Sequence, residues 1–262
     1  MILLVDAGNS RLKWAMLDAG KRSQQLAQDY SKDSAERLLI DLLAEKSVAN
    51  LVLVSVLGEL FSKKIQQYCQ QHTIELTLIY SQSEAYGVKN SYREPQRLGA
   101  DRFVGLIAAH HLRPDTHCIT ISCGTAVTID AITAQGKHLG GLILPGLQQF
   151  SDQLIKKTAL LTSGNTTKIS LFSNNTADAL TSGSIFGLVE AINGISSRME
   201  GELLKMNHLK GSQQTMNPVQ IIICGGDAKI IHPYLSESVQ REDDWLMQGL
   251  QLIAEFTSEK QA

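Results

Sequence analysis

The sequence begins MILLVDAGNSRLKWAMLD (residues 1–18), and the stretch VDAGNS within it decides the fold. A run of aliphatic residues ends abruptly in Asp6, and the polar turn of residues 8–10 follows before an apolar pattern resumes at Leu12. Short runs rich in Val, Ile and Leu that are bounded by turn residues are typical of strands in a covered sheet. The stretch therefore predicts a strand, a glycine turn and a returning strand, with a carboxylate near the end of the first strand.

Segments of two kinds alternate along the rest of the chain. Strand-like runs rich in Val, Ile and Leu are LVLVSV, IELTLIY, CITISC, VTIDAI, LGGLIL and VQIIIC. Apolar residues recur at helical spacing in residues 33–46, 102–112, 175–205 and 243–256. The alternation predicts an α/β protein in which helices cover the faces of the sheets.

Composition limits the classes of protein to which the chain can belong. With 262 residues, of which 43% are hydrophobic, it can bury one large core or two moderate ones, and we expect two domains. The net charge is -2 and Lys and Arg are scattered, so we expect no nucleic-acid partner. No apolar run approaches the roughly 20 residues that span a bilayer, so we expect no membrane association and a cytoplasmic location. Four cysteines lack metal-site spacing and disulfide-framework density, so reduced, buried thiols are expected at Cys69, Cys118, Cys123 and Cys224.

A weak internal repeat links the two halves of the chain. The opening segment LLVDAGNSRLKWAML is echoed by ITISCGTAVTIDAI from Ile119, so that Gly8 corresponds to Gly124. Two glycine turns that expose backbone N–H groups are suited to bind the phosphate groups of a polyphosphate from both sides. Two ordinary β-hairpins are an equally good interpretation of these residues alone.

Five motifs in a fixed order carry a family resemblance: DAGNSRLK, LGADR, SCGTAVTID, GGLILPG and TADALTSG. With them the chain, from Ile2 to about Ala228, resembles the type III pantothenate kinases, members of the superfamily of acetate and sugar kinases, heat-shock chaperones and actin. The resemblance implies an α/β fold of two actin-like (ribonuclease H-like) lobes, with mixed sheets flanked by helices, in residues 1–115 and 116–262. It also implies ATP-dependent phosphorylation of pantothenate to 4′-phosphopantothenate, the first step of coenzyme A biosynthesis.

The resemblance assigns the two glycine turns to ATP, with Mg²⁺ as the accompanying ion. The matched residues are Asp6, Ala7, Gly8, Asn9, Ser10, Arg11, Leu12 and Lys13 in the first lobe and Gly124 and Thr125 in the second. Asp6 would hold Mg²⁺ through water, because Mg²⁺ keeps much of its hydration, and Lys13 would add a point charge. A carboxylate that only caps a hairpin turn is the alternative for Asp6. Ser10 stands where the family usually has Thr, so the hydroxyl is kept and a methyl group is lost.

The LGADR motif is assigned to the substrate and to the chemistry. Pro95 discourages helix before the motif and apolar residues at helical spacing follow it, so residues 99–102 are expected at a helix N-terminus. The residues matched to pantothenate binding are Tyr92, Gly99, Ala100, Asp101, Arg102 and Thr176. The resemblance makes Asp101 the general base that accepts the proton of the substrate hydroxyl, and Arg102 could grip the pantothenate carboxylate. Taken without the resemblance, Asp101 only stabilises the first turn, by about 0.3–1 kcal/mol, and Thr176 is an N-cap.

Further features concern ions and the nucleotide base. Many family members have an Asp two residues before the second glycine, where it helps to bind K⁺ or NH₄⁺, and this chain has Ser122 there. A hydroxyl lacks the unit charge of a carboxylate, so the kinase activity is expected to depend only weakly on a monovalent cation. The glycine turn at residues 224–228 resembles the one that passes adenine in the superfamily. His110, His111 and His138 lack metal-ligand spacing and are expected in surface or packing roles.

The long helix predicted from Thr176 to Lys205 concerns assembly. Its apolar residues Ile185, Leu188, Ile192 and Ile195 fit burial against a partner, and the family is a homodimer. Alternatively, the same face covers the second sheet.

Two other functions stay open from the sequence. One is a catalytically inactive accessory or regulatory binding protein of the same fold, although such a protein has no use for a general base beside a phosphate clamp. The other is a sugar or acyl kinase of the superfamily, which would share the phosphate turns but lack the LGADR motif.

Overall fold

The structure, a computed structural model, describes residues 1–31, 34–46, 48–150, 168–209 and 217–259. The chain divides into two compact units and passes between them after residues 112, 135, 138 and 243. The first unit contains Met1–Leu112, Gly136–His138 and Asp244–Ala262, and the second contains Arg113–Gln135 and Leu139–Asp243. Each unit has a mixed sheet of its own with helices beside it.

The first unit is built on a six-stranded sheet. Its strands are β1 (Ile2–Ala7), β2 (Arg11–Asp18), β3 (Lys21–Arg22), β4 (Leu26–Asp29), β5 (Asn50–Ser55) and β6 (Glu75–Ile79), in the order β3-β2-β1-β5-β6 with β4 also paired to β2. Strand β1 is antiparallel to β2 and parallel to β5, which is parallel to β6. The short strands β7 (Glu84–Ala85) and β8 (Val88–Lys89) form a separate hairpin. The helices of this unit are α1 (Ala35–Glu45), α2 (Glu59–Gln71), α3 (Ala100–Leu112) and, at the end of the chain, α6 (Trp245–Glu259), with a 3₁₀ turn at Pro95–Arg97.

The two faces of this sheet are covered by different helices. Because side chains alternate along a strand, Leu3 and Val5 lie on one face of β1 and Leu4 and Asp6 on the other. Leu3 and Val5 belong to a core cluster formed with α1 and α2. On the opposite face, α6 packs on β1 and β5, and α3 packs on β5. Asp6 therefore lies at the end of β1 on the face that α3 and α6 cover.

Helices α3 and α6 approach each other closely through glycine. A Cβ atom at Gly249 of α6 would lie 2.7 Å from the Val104 carbonyl oxygen of α3, so only glycine fits that crossing. Nearby, the Nε1–H of Trp245, a fully buried side chain, donates a hydrogen bond of 3.2 Å to the Gly105 carbonyl. These contacts fix α3, whose N-terminal turn carries the LGADR motif.

The second unit has a five-stranded sheet. Its strands are β9 (Cys118–Cys123), β10 (Ala126–Ile132), β11 (His138–Pro145), β12 (Gln220–Cys224) and β13 (Val239–Arg241), in the order β11-β10-β9-β12-β13. Its helices are α4 (Thr176–Leu209) and the short α5 (Ala228–Ile231), which continues into a 3₁₀ turn at His232–Tyr234. Strand β9 is antiparallel to β10 and parallel to β12, and β12 is parallel to β13.

The internal repeat predicted from the sequence is confirmed at the level of topology. In each unit a first strand pairs antiparallel with the second and parallel with a later one, so β1 and β2 correspond to β9 and β10. A glycine follows the first strand in both, Gly8 after β1 and Gly124 after β9. The strands and helices expected from the apolar patterns are all present in the described residues. Helix α2, the short helix α5 and the short strands β3, β4, β7, β8 and β13 are present in addition.

The end of the chain does not follow the division into residues 1–115 and 116–262. Helix α6 belongs to the first unit, because its apolar face packs on α3 and on the first sheet. The segment Gly136–His138 also belongs to the first unit, since the Lys89 N–H donates to the Gly136 carbonyl at 2.9 Å. The first unit is therefore assembled from three separate stretches of sequence.

The apolar face of α4 is used inside the second unit. Ile185, Leu188 and Ile192 are buried in one cluster with the residues of the second sheet, and Ile195 packs against that cluster. Ile185, Leu188 and Ile192 are therefore not available to a partner subunit, and the alternative, that this face of α4 covers the second sheet, is correct for them, while Ile195 is only partly buried.

The four cysteines are buried and form no disulfide, as expected. Burial raises the pKa of the Cys69 thiol to about 11 and that of the Cys118 thiol to about 12. These thiols are therefore protonated near neutral pH and act as apolar packing groups. Among the helices within the described residues, none is long and apolar enough to cross a bilayer.

Candidate active site

The first glycine turn is a tight connection between β1 and β2. The Gly8 N–H donates a hydrogen bond of 3.1 Å to the Arg11 carbonyl, which closes the hairpin, while Asn9 and Ser10 are exposed at its tip. Leu12 is fully buried and anchors the returning strand in the core. The tip thus presents backbone and short polar side chains to solvent on a rigid base, as an anion-binding turn requires.

Asp6 lies on β1 just before this turn and is paired with Lys13 on β2. The Lys13 Nζ is 3.8 Å from Asp6 Oδ2, and Asp6 is 6% exposed. Burial raises the pKa of Asp6 to about 6; the positive charge of Lys13 opposes that rise, and the negative charge of Asp101 adds to it. Burial therefore disfavours the charged form of Asp6, because one Lys at this distance does not compensate the lost hydration.

Tyr30 also holds the first turn, although the sequence contained no signal for it. Its hydroxyl donates a hydrogen bond to the Gly8 carbonyl, and its N–H donates to the Ser10 carbonyl at 3.1 Å. The preceding residue, Asp29 of β4, forms an ion pair with Arg11. Strand β4 and Tyr30 therefore brace the turn from the edge of the sheet.

The LGADR motif forms the N-terminal turn of α3, as predicted. The Gly99 carbonyl accepts the Phe103 N–H at 3.0 Å, and the Asp101 Oδ1 accepts the Arg102 N–H at 2.8 Å. A Cβ atom at Gly99 would lie 2.7 Å from Asp101 Oδ1, which is closer than the atoms allow. Glycine at position 99 is therefore what lets the half-buried Asp101 carboxylate take this position. Ala100 is the first residue of the helix.

Arg102 and Tyr92 are in direct contact. The Arg102 Nη1 donates a hydrogen bond of 2.9 Å to the Tyr92 hydroxyl, and the Arg102 Cζ lies 5.5 Å from the centre of the Tyr92 ring. Arg102 is only 9% exposed, so its charge is largely desolvated and is a strong donor for an anionic group. The structure thus brings together two residues that were matched separately to the substrate.

A hydrogen-bond network around Asn90 orders the loop that carries Tyr92. The Asn90 Oδ1 accepts the Tyr92 N–H at 3.0 Å, and its Nδ2 donates to the Ser81 Oγ at 3.1 Å and to the Pro95 carbonyl at 3.0 Å. The fully buried ring of His138 stacks on Tyr92 with the ring centres 5.9 Å apart. The role of Asn90 was not predicted from the sequence, and His138 was expected only in a surface or packing role.

The second glycine turn has the same place in its unit as the first but is one residue shorter. The Gly124 N–H donates to the Ala126 carbonyl at 3.1 Å, and Thr125 is exposed at the tip. Gly146, which ends the GGLILPG motif, packs so closely that a Cβ atom there would lie 2.3 Å from the Gly124 carbonyl oxygen. That contact explains the glycine of the motif, because any larger residue would displace the turn. Ser122, on β9, is half-buried.

Two other residues matched to the site also lie in the second unit. Thr176 is the first residue of α4 and is exposed. It is not the N-cap that the sequence suggested: the Asn175 Oδ1 accepts the Asp178 N–H at 2.9 Å and caps the helix instead. In the glycine turn of residues 224–228, Gly225 has φ +105°, and a Cβ atom there would lie 2.2 Å from the Cys123 carbonyl oxygen.

The matched residues are therefore divided between the units. Residues 6–13, Tyr92, Gly99, Ala100, Asp101 and Arg102 belong to the first, and Ser122, Gly124, Thr125 and Thr176 belong to the second. Within the first unit, the carboxylates of Asp6 and Asp101 are close enough for the charge of one to raise the pKa of the other. Two carboxylates, one beside a phosphate-type turn and one at a helix N-terminus beside a buried Arg, suit phosphoryl transfer to a hydroxyl.

Solved structures with low sequence identity share the fold. A putative 2-dehydro-3-deoxygalactonokinase from Sinorhizobium meliloti superposes with a TM-score of 0.61 at 14% identity, covering 98% of this chain and 99% of that one. A conserved putative Baf family transcriptional activator from Campylobacter jejuni gives a TM-score of 0.57 at 21% identity, with 98% and 99% coverage. At these identities the likeness concerns the fold alone, and it agrees with the predicted pair of actin-like lobes with mixed sheets.

Comparison with known sequences identifies the family. A type III pantothenate kinase from Nitrosococcus oceani is 35% identical over 266 residues, covering 98% of this chain and 95% of the relative. One from a Janthinobacterium species is 33% identical over 265 residues, with 97% of each chain covered. The family model for type III pantothenate kinases matches residues 2–198, and the chain therefore belongs to the type III pantothenate kinase family.

Proposed function

We propose that this protein transfers the γ-phosphoryl group of ATP to the hydroxyl group of pantothenate, which forms 4′-phosphopantothenate and begins coenzyme A biosynthesis. The observation that carries the proposal is the arrangement at the start of α3. There Asp101 lies beside the buried Arg102 and within electrostatic reach of Asp6 at the first phosphate turn. A kinase needs a base, an anion-binding group for its substrate and a phosphate turn, and the first unit supplies all three.

Asp101 acts as the general base in this mechanism. Its carboxylate accepts the proton of the pantothenate hydroxyl as that oxygen bonds to the γ-phosphorus, and the bond from the γ-phosphorus to the bridging oxygen breaks to release ADP. The hydrogen bond from the Arg102 N–H holds the Oδ1 of Asp101, and the absent Cβ of Gly99 leaves room for it.

The glycine turns bind the phosphates of ATP. Asn9 and Ser10 offer donors at the tip of the first turn, and Thr125 offers its N–H and hydroxyl at the tip of the second. The N–H groups of Gly8 and Gly124 close the two hairpins, and these glycines let the backbone approach the phosphates closely. The carboxylate oxygens of Asp6 are ligands of the kind that Mg²⁺ prefers. Burial raises the pKa of Asp6, and a divalent cation beside it would stabilise the charged form of this carboxylate. Mg²⁺ bound there would neutralise charge on the phosphates, while Lys13 adds a positive charge from the neighbouring strand.

Arg102 recognises the carboxylate of pantothenate with its forked guanidinium. Arg102→Lys keeps the charge but loses the fork and the stacking on Tyr92, so the KM for pantothenate should rise about tenfold while the KM for ATP changes little. Steady-state kinetics with each substrate varied in turn measures both constants. Arg97→Lys is the control, because Arg97 lies in the 3₁₀ turn just before α3 but is exposed and paired only with Glu94 among the contacts described for it. An unchanged KM for pantothenate in Arg102→Lys would remove Arg102 from the substrate site.

Ser122 decides the response to monovalent cations. On β9, Ser122 is paired with Thr128 on one side and Cys224 on the other. Neither Ser122 nor these two neighbours carries a charge that would hold K⁺. We therefore expect activity to depend weakly on K⁺ or NH₄⁺, and Ser122→Asp to strengthen that dependence, with the uncharged Ser122→Asn as the control. The measurement is a K⁺ titration against Na⁺ at constant ionic strength. An unmodified enzyme that is inactive without K⁺ and saturates at low K⁺ would show that other groups bind the ion.

One assay separates the proposed function from its alternatives. The purified protein is incubated with ATP and Mg²⁺, and ADP release is followed with and without pantothenate. Release that requires pantothenate supports the proposal. No release with any acceptor indicates the inactive binding protein, and release with a sugar or a short-chain acid but not with pantothenate indicates another kinase of the superfamily.

Assembly and location are proposed on the family resemblance alone. We expect a homodimer in the cytoplasm, which acts on pantothenate and ATP without a nucleic-acid or membrane partner. Since Ile185, Leu188 and Ile192 of α4 are buried inside their own unit, we expect the dimer contact to use other residues. Sedimentation equilibrium of the purified protein gives the oligomeric state directly.

A further inference from the structure

The peptide group between Gly8 and Asn9 is held from one side. Its carbonyl, on Gly8, accepts a hydrogen bond from the Tyr30 hydroxyl. The next carbonyl but one, on Ser10, accepts the Tyr30 N–H at 3.1 Å. Both bonds come from a single residue that immediately follows β4.

The orientation of this peptide fixes the direction of the Asn9 N–H. In a trans peptide, which is planar, the carbonyl and the N–H point in opposite directions. Every peptide bond of the described residues is trans. Because Tyr30 binds the Gly8 carbonyl, the Asn9 N–H points away from Tyr30, toward the open side of the turn. Without the hydroxyl, this peptide could rotate and turn a carbonyl oxygen toward an anion, which would repel it.

Tyr30 is well anchored for this role. Its ring packs against the core cluster that β1 forms with α1 and α2. Burial, and after it the negative charge of Asp6, raise the pKa of the Tyr30 hydroxyl to about 12, so the hydroxyl stays protonated and keeps its donor at any working pH. The ion pair between Arg11 and Asp29 holds β4 to β2 just before Tyr30.

We propose that Tyr30 is a positioning residue for the nucleotide: by holding the Gly8 carbonyl it aims the Asn9 N–H at the phosphate groups of ATP. The inference rests on the proposed function of the first turn as an ATP site. Tyr30 contacts neither pantothenate nor the reacting atoms, and it acts through the turn alone.

The test is the effect of Tyr30→Phe on each substrate separately. The variant keeps the packed ring and loses the donor, so the Kd for a non-hydrolysable ATP analogue and the KM for ATP should both rise about three- to tenfold. The KM for pantothenate should stay within the error of the unmodified protein, and the melting temperature should fall by only about 2–4 °C, the cost of one hydrogen bond. Tyr30→Met, which fills the same space without a donor, should give the same shift. Tyr68→Phe is the matched control, since Tyr68 packs on the same cluster and stacks on His72.

The outcomes distinguish this inference from the proposed function. If the unmodified protein binds the ATP analogue but releases no ADP with pantothenate, the proposed function fails, and the Tyr30 inference is still decided by the Kd values. If Tyr30→Phe and Tyr30→Met bind the analogue as tightly as the unmodified protein, the inference is overturned. It is equally overturned if both KM values rise together with a fall in melting temperature, because that pattern marks a general structural role.

Discussion

Asp101→Asn is expected to lower kcat by about 10²–10⁴-fold, because an amide cannot accept the proton of the substrate hydroxyl. Asparagine keeps the size of the side chain and an oxygen that can accept the Arg102 N–H, so the turn at the start of α3 should stay intact. The Kd for ATP should change little, since the phosphate turns belong to other segments. Asp41→Asn is the control: Asp41 lies on α1 and pairs only loosely with Arg37, at 3.8 Å.

The Asp101→Asn variant also tests the effect of the Asp101 charge on the pKa of Asp6. Asp101 is one of the charges that raise the pKa of Asp6, so its neutralisation should lower that pKa. Any step of the residual activity that follows the ionisation of Asp6 should therefore shift to lower pH. Near-normal kcat in Asp101→Asn would eliminate Asp101 as the base, whatever the pH profile.

Asp6→Asn is expected to make the protein more stable and nearly inactive. The pKa of Asp6 rises from 3.8 to about 6 on folding, so between these values the folded state binds more protons than the unfolded state. The free energy of unfolding therefore falls as pH rises through this window and is constant above it. The shift corresponds to at most about 3 kcal/mol, and since Lys13 loses its partner in the variant, a gain of about 1–2 kcal/mol at pH 8 is expected.

The catalytic activity of Asp6→Asn should fall, although its stability should rise. Loss of the Asp6 carboxylate removes the group that fits Mg²⁺ beside the phosphates, so kcat/KM should fall by about 10²-fold or more. Urea unfolding at pH 8 and at pH 4, without nucleotide or Mg²⁺, measures the stability difference, which should nearly vanish at the lower pH. A variant that is less stable than the unmodified protein at pH 8 would contradict the buried, unfavourable charge inferred for Asp6.

The main strands could be predicted because their residues are apolar on both faces. Strand β1 buries Leu3, Leu4 and Val5 in succession, and β9 does the same with Ile119 and its neighbours. Such runs depend little on what the chain packs against. The glycine turn that follows each of them is also a local feature, so the repeat of the two hairpins was visible before any three-dimensional information.

Helix α2 and strand β4 were missed because their sequences are mostly polar. Helix α2 buries Phe61, Ile65 and Cys69, one residue per turn, among Lys and Gln, which gives too narrow an apolar stripe to recognise. All four residues of β4 are exposed, so its sequence shows no alternation of buried apolar and exposed polar residues. Its formation depends on β2, which offers a free edge, and this can be seen only in the folded sheet.

The candidate site divides in the same way. Asp6, Asp101 and Arg102 could be picked out because they lie in short motifs that resemble a family. Tyr30 and Asn90 could not, since each acts by hydrogen bonds to backbone or side chains in another segment, and such contacts leave no period in the sequence. Helices α4 and α6 were predicted correctly, but a periodic pattern does not say what an apolar face packs against, which left a partner subunit and the second sheet both open for α4.

Helix α6 gives the molecule an unusual order of completion during synthesis. Strand β1 leaves the ribosome well before α6, yet the face of the sheet that holds Leu4 and Asp6 is covered in part by α6, which begins at Trp245. The residues of the second unit end at Asp243, so all of them are made before α6. Synthesis of the first unit thus begins before the second unit and is completed after it, and the part of its sheet face that α6 covers stays exposed until α6 has been made. A ribosome that stalls or terminates shortly before Trp245 would release a chain with that face exposed, a target for chaperones and for aggregation.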